Sequence, residues 1–151
     1  AINYYFRSKE VLIQRCMQAT LENAFDWEEF ARMPGGSPEE RCTAIFENLL
    51  EGGCNFPGVT RAHFYELLTE GKYDSLAVKK TNEFMERLAA NLIELGSPLA
   101  ENELRMALVQ ITSAVMMMIL TPRLFESSFG IDLCDEASRK QFVRRLVERL
   151  L

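Results

Sequence analysis

The chain has 151 residues and a mass of 17.3 kDa, a length that suits one domain and allows roughly 70% of the unfolded surface to be buried. Apolar residues supply 48% and charged residues 26%, which excludes disordered, collagen-like and other low-complexity classes. The net charge of −5 is uneven: residues 1–15 carry +2, residues 16–131 carry −8 and residues 132–151 carry +1. The acidic body repels phosphate backbones, so a nucleic acid would meet the N-terminal edge.

Helix signals run along the whole chain. Ser8 is a good N-cap, and the apolar-periodic run Leu12, Ile13, Cys16, Met17, Leu21, Ala24, Phe25, Trp27 predicts a long first helix ending at Met33, before Pro34-Gly35-Gly36. Ser37-Pro38-Glu39-Glu40 offers a capping box, with Pro38 at the first helical position, for a second helix reaching Glu51. Gly52-Gly53, Pro57 and Gly58 read as a loop, and Thr60 to Glu70 as a third helix closed by Gly71. A fourth helix spans Ser75 to Leu95, stopped by Gly96.

Between Leu104 and Leu120, thirteen of seventeen residues are apolar and the polar exceptions leave no continuous polar face. The run is slightly short for a bilayer span and has a charged first turn, so it reads as a central core helix, or one that also serves a subunit interface, and not as a membrane segment. Pro122 ends it. Asp135 caps a last helix with a wide apolar stripe, Phe142, Val143, Leu146, Val147, Leu150 and Leu151. The expected fold class is all-α, a bundle of about six helices. Its last two helices carry more apolar surface than a small domain needs to hide, which predicts a homodimer of C2 symmetry through Val115, Ile119, Phe142, Leu146 and Leu150.

Cys16, Cys42, Cys54 and Cys134 form no C-x-x-C pair and lack partner histidines, so free thiols are expected and no metal site or cofactor. No charged n-region leads into an apolar stretch at the N-terminus, and the expected location is the cytoplasm. The sole histidine, His63, shares a helix face with Glu66, but no nucleophile elbow accompanies them, and the chain does not read as an enzyme. Arg139, Lys140, Arg144, Arg145 and Arg149 are interrupted by Glu136 and Glu148 and read as a solvated face beside an interface.

The segment Ile2-Asn3-Tyr4-Tyr5-Phe6-Arg7-Ser8-Lys9-Glu10-Val11-Leu12 resembles the end of the DNA-binding domain in TetR/AcrR-family transcriptional regulators, where an aromatic pair, a further aromatic, a basic residue, Ser-Lys and a carboxylate recur. The resemblance implies that residues 1–8 are the remnant of an N-terminal helix-turn-helix DNA-binding domain, with its two earlier helices and most of the recognition helix before Ala1. Residues 9–151 would form the ligand-binding and dimerisation domain. It further implies DNA-backbone contacts by Tyr4, Tyr5 and Lys9, with Asn3 as a weaker candidate. These groups are chemically suited to phosphate: two phenolic hydroxyls, an amide, and a point charge beside a helix N-terminus. The same aromatics also suit a cluster that docks a helix entry.

A body of this kind is expected to bind a small hydrophobic ligand among its middle helices. Candidate lining residues are His63, Tyr65, Phe84, Met85 and Met117, which offer aromatic walls, soft thioethers and an imidazole. The middle helices show no obvious Arg or Lys clamp, which favours a neutral or cationic ligand over an anion. The expected function is thus a ligand-responsive regulator, a repressor in which Leu12, Cys16 and Leu21 lie on the lever between sensor and DNA. The alternative is a stand-alone helical homodimer that binds a hydrophobic molecule or a partner helix without a DNA role.

Overall fold

A computed structural model of the chain describes residues 8–151; Asn3, Tyr4 and Tyr5 lie outside them. Among the described residues eight helical segments follow one another: α1 (Lys9–Ala24), α2 (Trp27–Arg32), α3 (Pro38–Asn55), α4 (Pro57–Glu70), α5 (Leu76–Glu94), α6 (Glu101–Leu120), the single turn α7 (Glu126–Phe129) and α8 (Glu136–Leu150). No strand occurs among the described residues. The fold is an all-α bundle, as the periodicity predicts.

The three expected caps, at Ser8, Ser37 and Asp135, are formed, and Ser75 supplies a fourth. Val11 N–H donates to Ser8 Oγ at 3.3 Å, Glu40 N–H to Ser37 Oγ at 3.1 Å, Val78 N–H to Ser75 Oγ at 3.3 Å and Ser138 N–H to Asp135 Oδ2 at 2.9 Å. Each satisfies one otherwise orphaned donor of a first helical turn and contributes about 1 kcal/mol. The Glu40 carboxylate reaches back one residue further than a capping box requires, accepting from Gly36 N–H at 2.9 Å.

The chain departs from the sequence reading at four places. The expected first helix is two: Asp26 adopts an extended backbone and its carboxylate accepts from Glu28 N–H at 2.9 Å, which starts α2 afresh. Helix α3 continues past Gly52-Gly53 to Asn55, because Gly53 is where α3 crosses α6. A Cβ there would lie 2.5 Å from Ile119 Cγ2, so a glycine is needed for contact and not for a turn. Helix α4 starts at Pro57, in the run read as a loop, and α7 is an additional turn between α6 and α8.

Helix α6 is the centre of the bundle, packed by α3, α4, α5 and α8. Its inner face, Leu104, Leu108, Ile111, Val115 and Ile119, is almost wholly buried. Against it lie Ile45, Phe46 and Leu50 of α3, Phe84, Leu88 and Leu92 of α5, and Val143 and Val147 of α8. Each fully buried side chain of this kind contributes on the order of 2 kcal/mol by leaving water. The opposite face is open: Met106, Val109 and Met117 are 60%, 53% and 47% exposed. By length and composition α6 is also apolar enough to cross a membrane.

These facts correct two expectations. Val115 and Ile119 lie inside the chain's own core and cannot form a contact face with a second copy; the outward apolar stripe of α6 is Met106, Val109 and Met117. Phe142, Leu146 and Leu150 of α8 are half-buried, packed against the core from its edge. Arg139 leaves the solvated basic face altogether. It is buried, donates to Cys134 O at 3.2 Å and sits 3.6 Å from the Glu51 carboxylate, joining α8 to α3. All four cysteines are free, and burial pushes the Cys42 thiol up to about 12, which makes it an inert apolar filler.

The Gly53 crossing gives a direct test. Gly53→Ala should destabilise the chain by about 1–3 kcal/mol through overpacking, seen as a lower urea midpoint with an unchanged slope. An unchanged midpoint would mean that α3 and α6 do not approach as closely as described.

Candidate ligand-binding site

Five helices fail to fill the space between them, leaving a cavity of about 400 Å³ walled by α1, α3, α4, α5 and α6 and closed at one side by α2. This lies within the size range of sites for drug-sized molecules. The wall is largely aromatic. Phe25, Phe30, Phe46, Phe56, Phe64 and Phe84 all contribute to the wall, and Gly53 contributes backbone where a side chain would project. Three ring contacts fix this aromatic side: Phe84 lies 5.3 Å from Phe25, 5.3 Å from Phe30 and 6.2 Å from Trp27, centroid to centroid. Tilted and edge-on pairs at these distances are favourable beyond simple burial.

Helix α2 has only six residues and would be marginal alone. The Arg41 guanidinium from α3 holds its C-terminal end, Nη1 donating to Phe30 O at 2.8 Å and Ala31 O at 3.0 Å, and Nη2 to Gly35 O at 3.4 Å. Charge-assisted bonds to terminal carbonyls also complement the helix dipole. Gly35 makes the approach possible: its φ is +147°, and a Cβ would come within 2.7 Å of the Arg41 backbone nitrogen. Arg41 therefore fixes the part of the wall that carries Glu29 and Phe30.

The polar groups of the wall are few and mostly neutral: Thr20 and Asn23 from α1, Asn48 from α3, Thr60 and His63 from α4, Thr81 from α5 and Thr112 from α6. Thr20 Oγ lies 3.0 Å from His63 Nε2 and 2.9 Å from Met17 O. The single hydroxyl hydrogen is directed at the carbonyl, so the oxygen accepts from Nε2–H and this nitrogen carries the imidazole proton. Burial lowers the His63 pKa from its ordinary 6.5, favouring the neutral ring. Among the described residues, Glu29 is the one formal charge in the wall.

The structure places two of the five candidate pocket residues in this wall, His63 and Phe84. Tyr65 points outward from α4 and is 60% exposed, and Met117 faces outward on α6 at 47%. Met85 packs at the edge of the core, its sulfur accepting from the Thr112 hydroxyl at 3.0 Å. The expected His63–Glu66 partnership is replaced: His63 turns to Thr20, and Glu66 sits 3.5 Å from Lys72. Glu29, Phe25, Phe30 and Gly53 were not singled out by sequence, although an N-cap Asp followed by acidic residues at Asp26-Trp27-Glu28-Glu29 does mark a helix start. Lys9 is exposed in the first turn of α1, beside the Ser8 cap. Among the described residues no group of three or more His, Cys, Asp or Glu side chains assembles to hold a metal.

No family model matches this chain, and neither the curated proteins nor the solved structures yield a match.

The His63 environment has a pH consequence of definite sign. Its folded pKa lies below the unfolded value, so its contribution to stability is present above pH 6.5 and is lost as the pH falls through 6.5 toward the folded value. His63→Gln, which keeps an amide hydrogen bond but does not titrate, should flatten part of the fall in Tm between about pH 7 and pH 5. Parallel Tm profiles for the two proteins would show that the ring is protonated equally in both states.

Proposed function

We propose that this chain is the sensing and dimerising body of a ligand-responsive transcriptional regulator of the TetR type, a repressor acting in the cytoplasm, whose cavity takes a small hydrophobic ligand. The observation that carries the reading is the double use of α1. Its first turn follows directly on the Tyr4-Tyr5-Phe6-Arg7-Ser8-Lys9 segment, while Thr20, Leu21, Asn23 and Ala24 in its last turns form cavity wall. Lys9 and Leu21 are about 18 Å apart along one helix at 1.5 Å per residue, so a ligand that moves Leu21 moves Lys9 with it. Leu21 is buried and Leu12 half-buried on this lever, whereas Cys16 faces solvent.

Ligand binding works here as a population shift. A ligand that prefers one placement of α1 stabilises that placement by its difference in affinity, and the DNA-reading segments of a dimer then lose the spacing that two successive major grooves demand. The complete gene product should retain discrete genomic duplexes in a selection from sheared DNA and release them when a cavity ligand is added. Specific retention with no response to any ligand that binds the cavity would contradict the coupling. No retention at all would leave the stand-alone helical homodimer.

Dimerisation is read onto the outward stripe of α6, with α8 beside it. Met106, Val109 and Met117 recur on one face over three turns, with Gln110 and Ser113 between them, and α8 adds Phe142 and Leu146 at the neighbouring edge. A second copy covers this stripe and makes α6 a core helix on both faces, which explains its composition without a bilayer. Val109→Glu with Met117→Glu should weaken self-association by at least about tenfold, since two unpaired carboxylates would be buried at the contact. Sedimentation velocity reads this directly, and an unchanged dimer would move the interface elsewhere.

A further inference from the structure

We infer that the cavity selects lipophilic organic cations, a quaternary ammonium or protonated amine on an aromatic or alkyl body, with Glu29 as the counter-charge and the phenylalanine rings as the cation's walls. The inference rests on reading the cavity as a ligand site and concerns what that site prefers. Neighbouring carboxylates show why Glu29 stands out. Glu28 lies 3.5 Å from Arg32, whereas Glu29, one residue on, has no ion-pair partner among the described residues and, itself exposed to solvent, lines the cavity.

Three features of the wall favour a positive charge. No Lys or Arg among the described residues lines it, so an anion finds no opposite charge and meets Glu29. Phe25, Phe30 and Phe84 form a contiguous ring surface next to Glu29's own helix, and aromatic faces attract cations electrostatically, more strongly where water is excluded. The His63 ring is held neutral by burial and does not oppose a cation. The Asn23, Asn48 and threonine groups hydrogen-bond equally well with neutral or charged ligands, so they set orientation and not charge preference.

The test compares three ligands of one shape: phenylbutyl-trimethylammonium, the neutral analogue with carbon in place of nitrogen, and the corresponding carboxylate. Calorimetry gives each Kd. The fluorescence of Trp27, the chain's single tryptophan, adds an internal signal because its ring lies against Phe84. Expected is a cation affinity about ten- to thirtyfold above the neutral analogue, with the carboxylate weakest. Glu29→Gln should lower the cation's affinity about fivefold and leave the neutral analogue unchanged. Phe56→Leu, at the exposed edge of the wall, should cost the cation more than the neutral analogue. Equal binding of cation and neutral analogue, or a cation preference that Glu29→Gln does not reduce, overturns the inference while the cavity remains a ligand site. Failure of all three ligands to bind overturns the inference and the reading of the cavity together.

Discussion

The inner face of α6 is the constraint on which the rest of the bundle depends. Four helices, α3, α4, α5 and α8, rest on one stripe running from Leu104 to Ile119, so each is placed relative to the others through α6. Where side chains from two of them meet across it, the core is dense. Where α1, α3, α4, α5 and α6 leave space between them, the cavity remains. Gly53 keeps α3 close enough to α6 for both outcomes to hold: the helices touch, and no Cβ intrudes at the bottom of the void. The cavity here is a by-product of how a core is packed around one helix.

The cavity's second determinant is local. Asp26 interrupts what would otherwise be one helix, and the interruption turns α2 across the opening. Arg41 then locks α2 through the Phe30 and Ala31 carbonyls and the loop that follows it through Gly35 O. Neither residue is apolar, and Arg41 takes no part in the wall. A polar cap and a guanidinium strut thus decide where the Glu29 carboxylate and the Phe30 ring face.

Much of the fold was legible in the sequence, because its signals are short-range. Ser8, Ser37, Ser75 and Asp135 mark starts that depend on a side chain and the next turn, and Gly71 and Pro122 mark ends in the same local way. The misreadings occurred where tertiary contact overrode propensity. Gly52-Gly53 costs roughly 2 kcal/mol of helix propensity, and packing of α3 on α6 and α8 outweighs it. Asp26 was hidden because Phe25 and Trp27 continue the apolar period across the break. The cavity itself was only partly legible. His63 and Phe84 could be named by type, but Tyr65 and Met117 occupy the same helices and point outward. Which side of a helix meets a void is decided by the other four helices, and no window along the chain contains that information. The DNA-contact residues rest on the resemblance of the N-terminal segment, and of these only Lys9 falls within the described part of the chain.

Helix α6 also shapes how such a protein changes over evolutionary time. Val115 and Ile119 belong to the cavity side, whereas Met106 and Met117 belong to the opposite side. Residues on opposite sides of a helix share no neighbours, so substitutions there are close to additive. If the chain binds a ligand and pairs as proposed, drift on one side would alter which molecule is bound while the outer stripe kept its self-complementarity. Duplicated genes would then diverge in ligand before they diverged in partner, passing through a period in which differently tuned copies still paired. Mixed dimers with two unlike cavities would be the natural intermediates of that history.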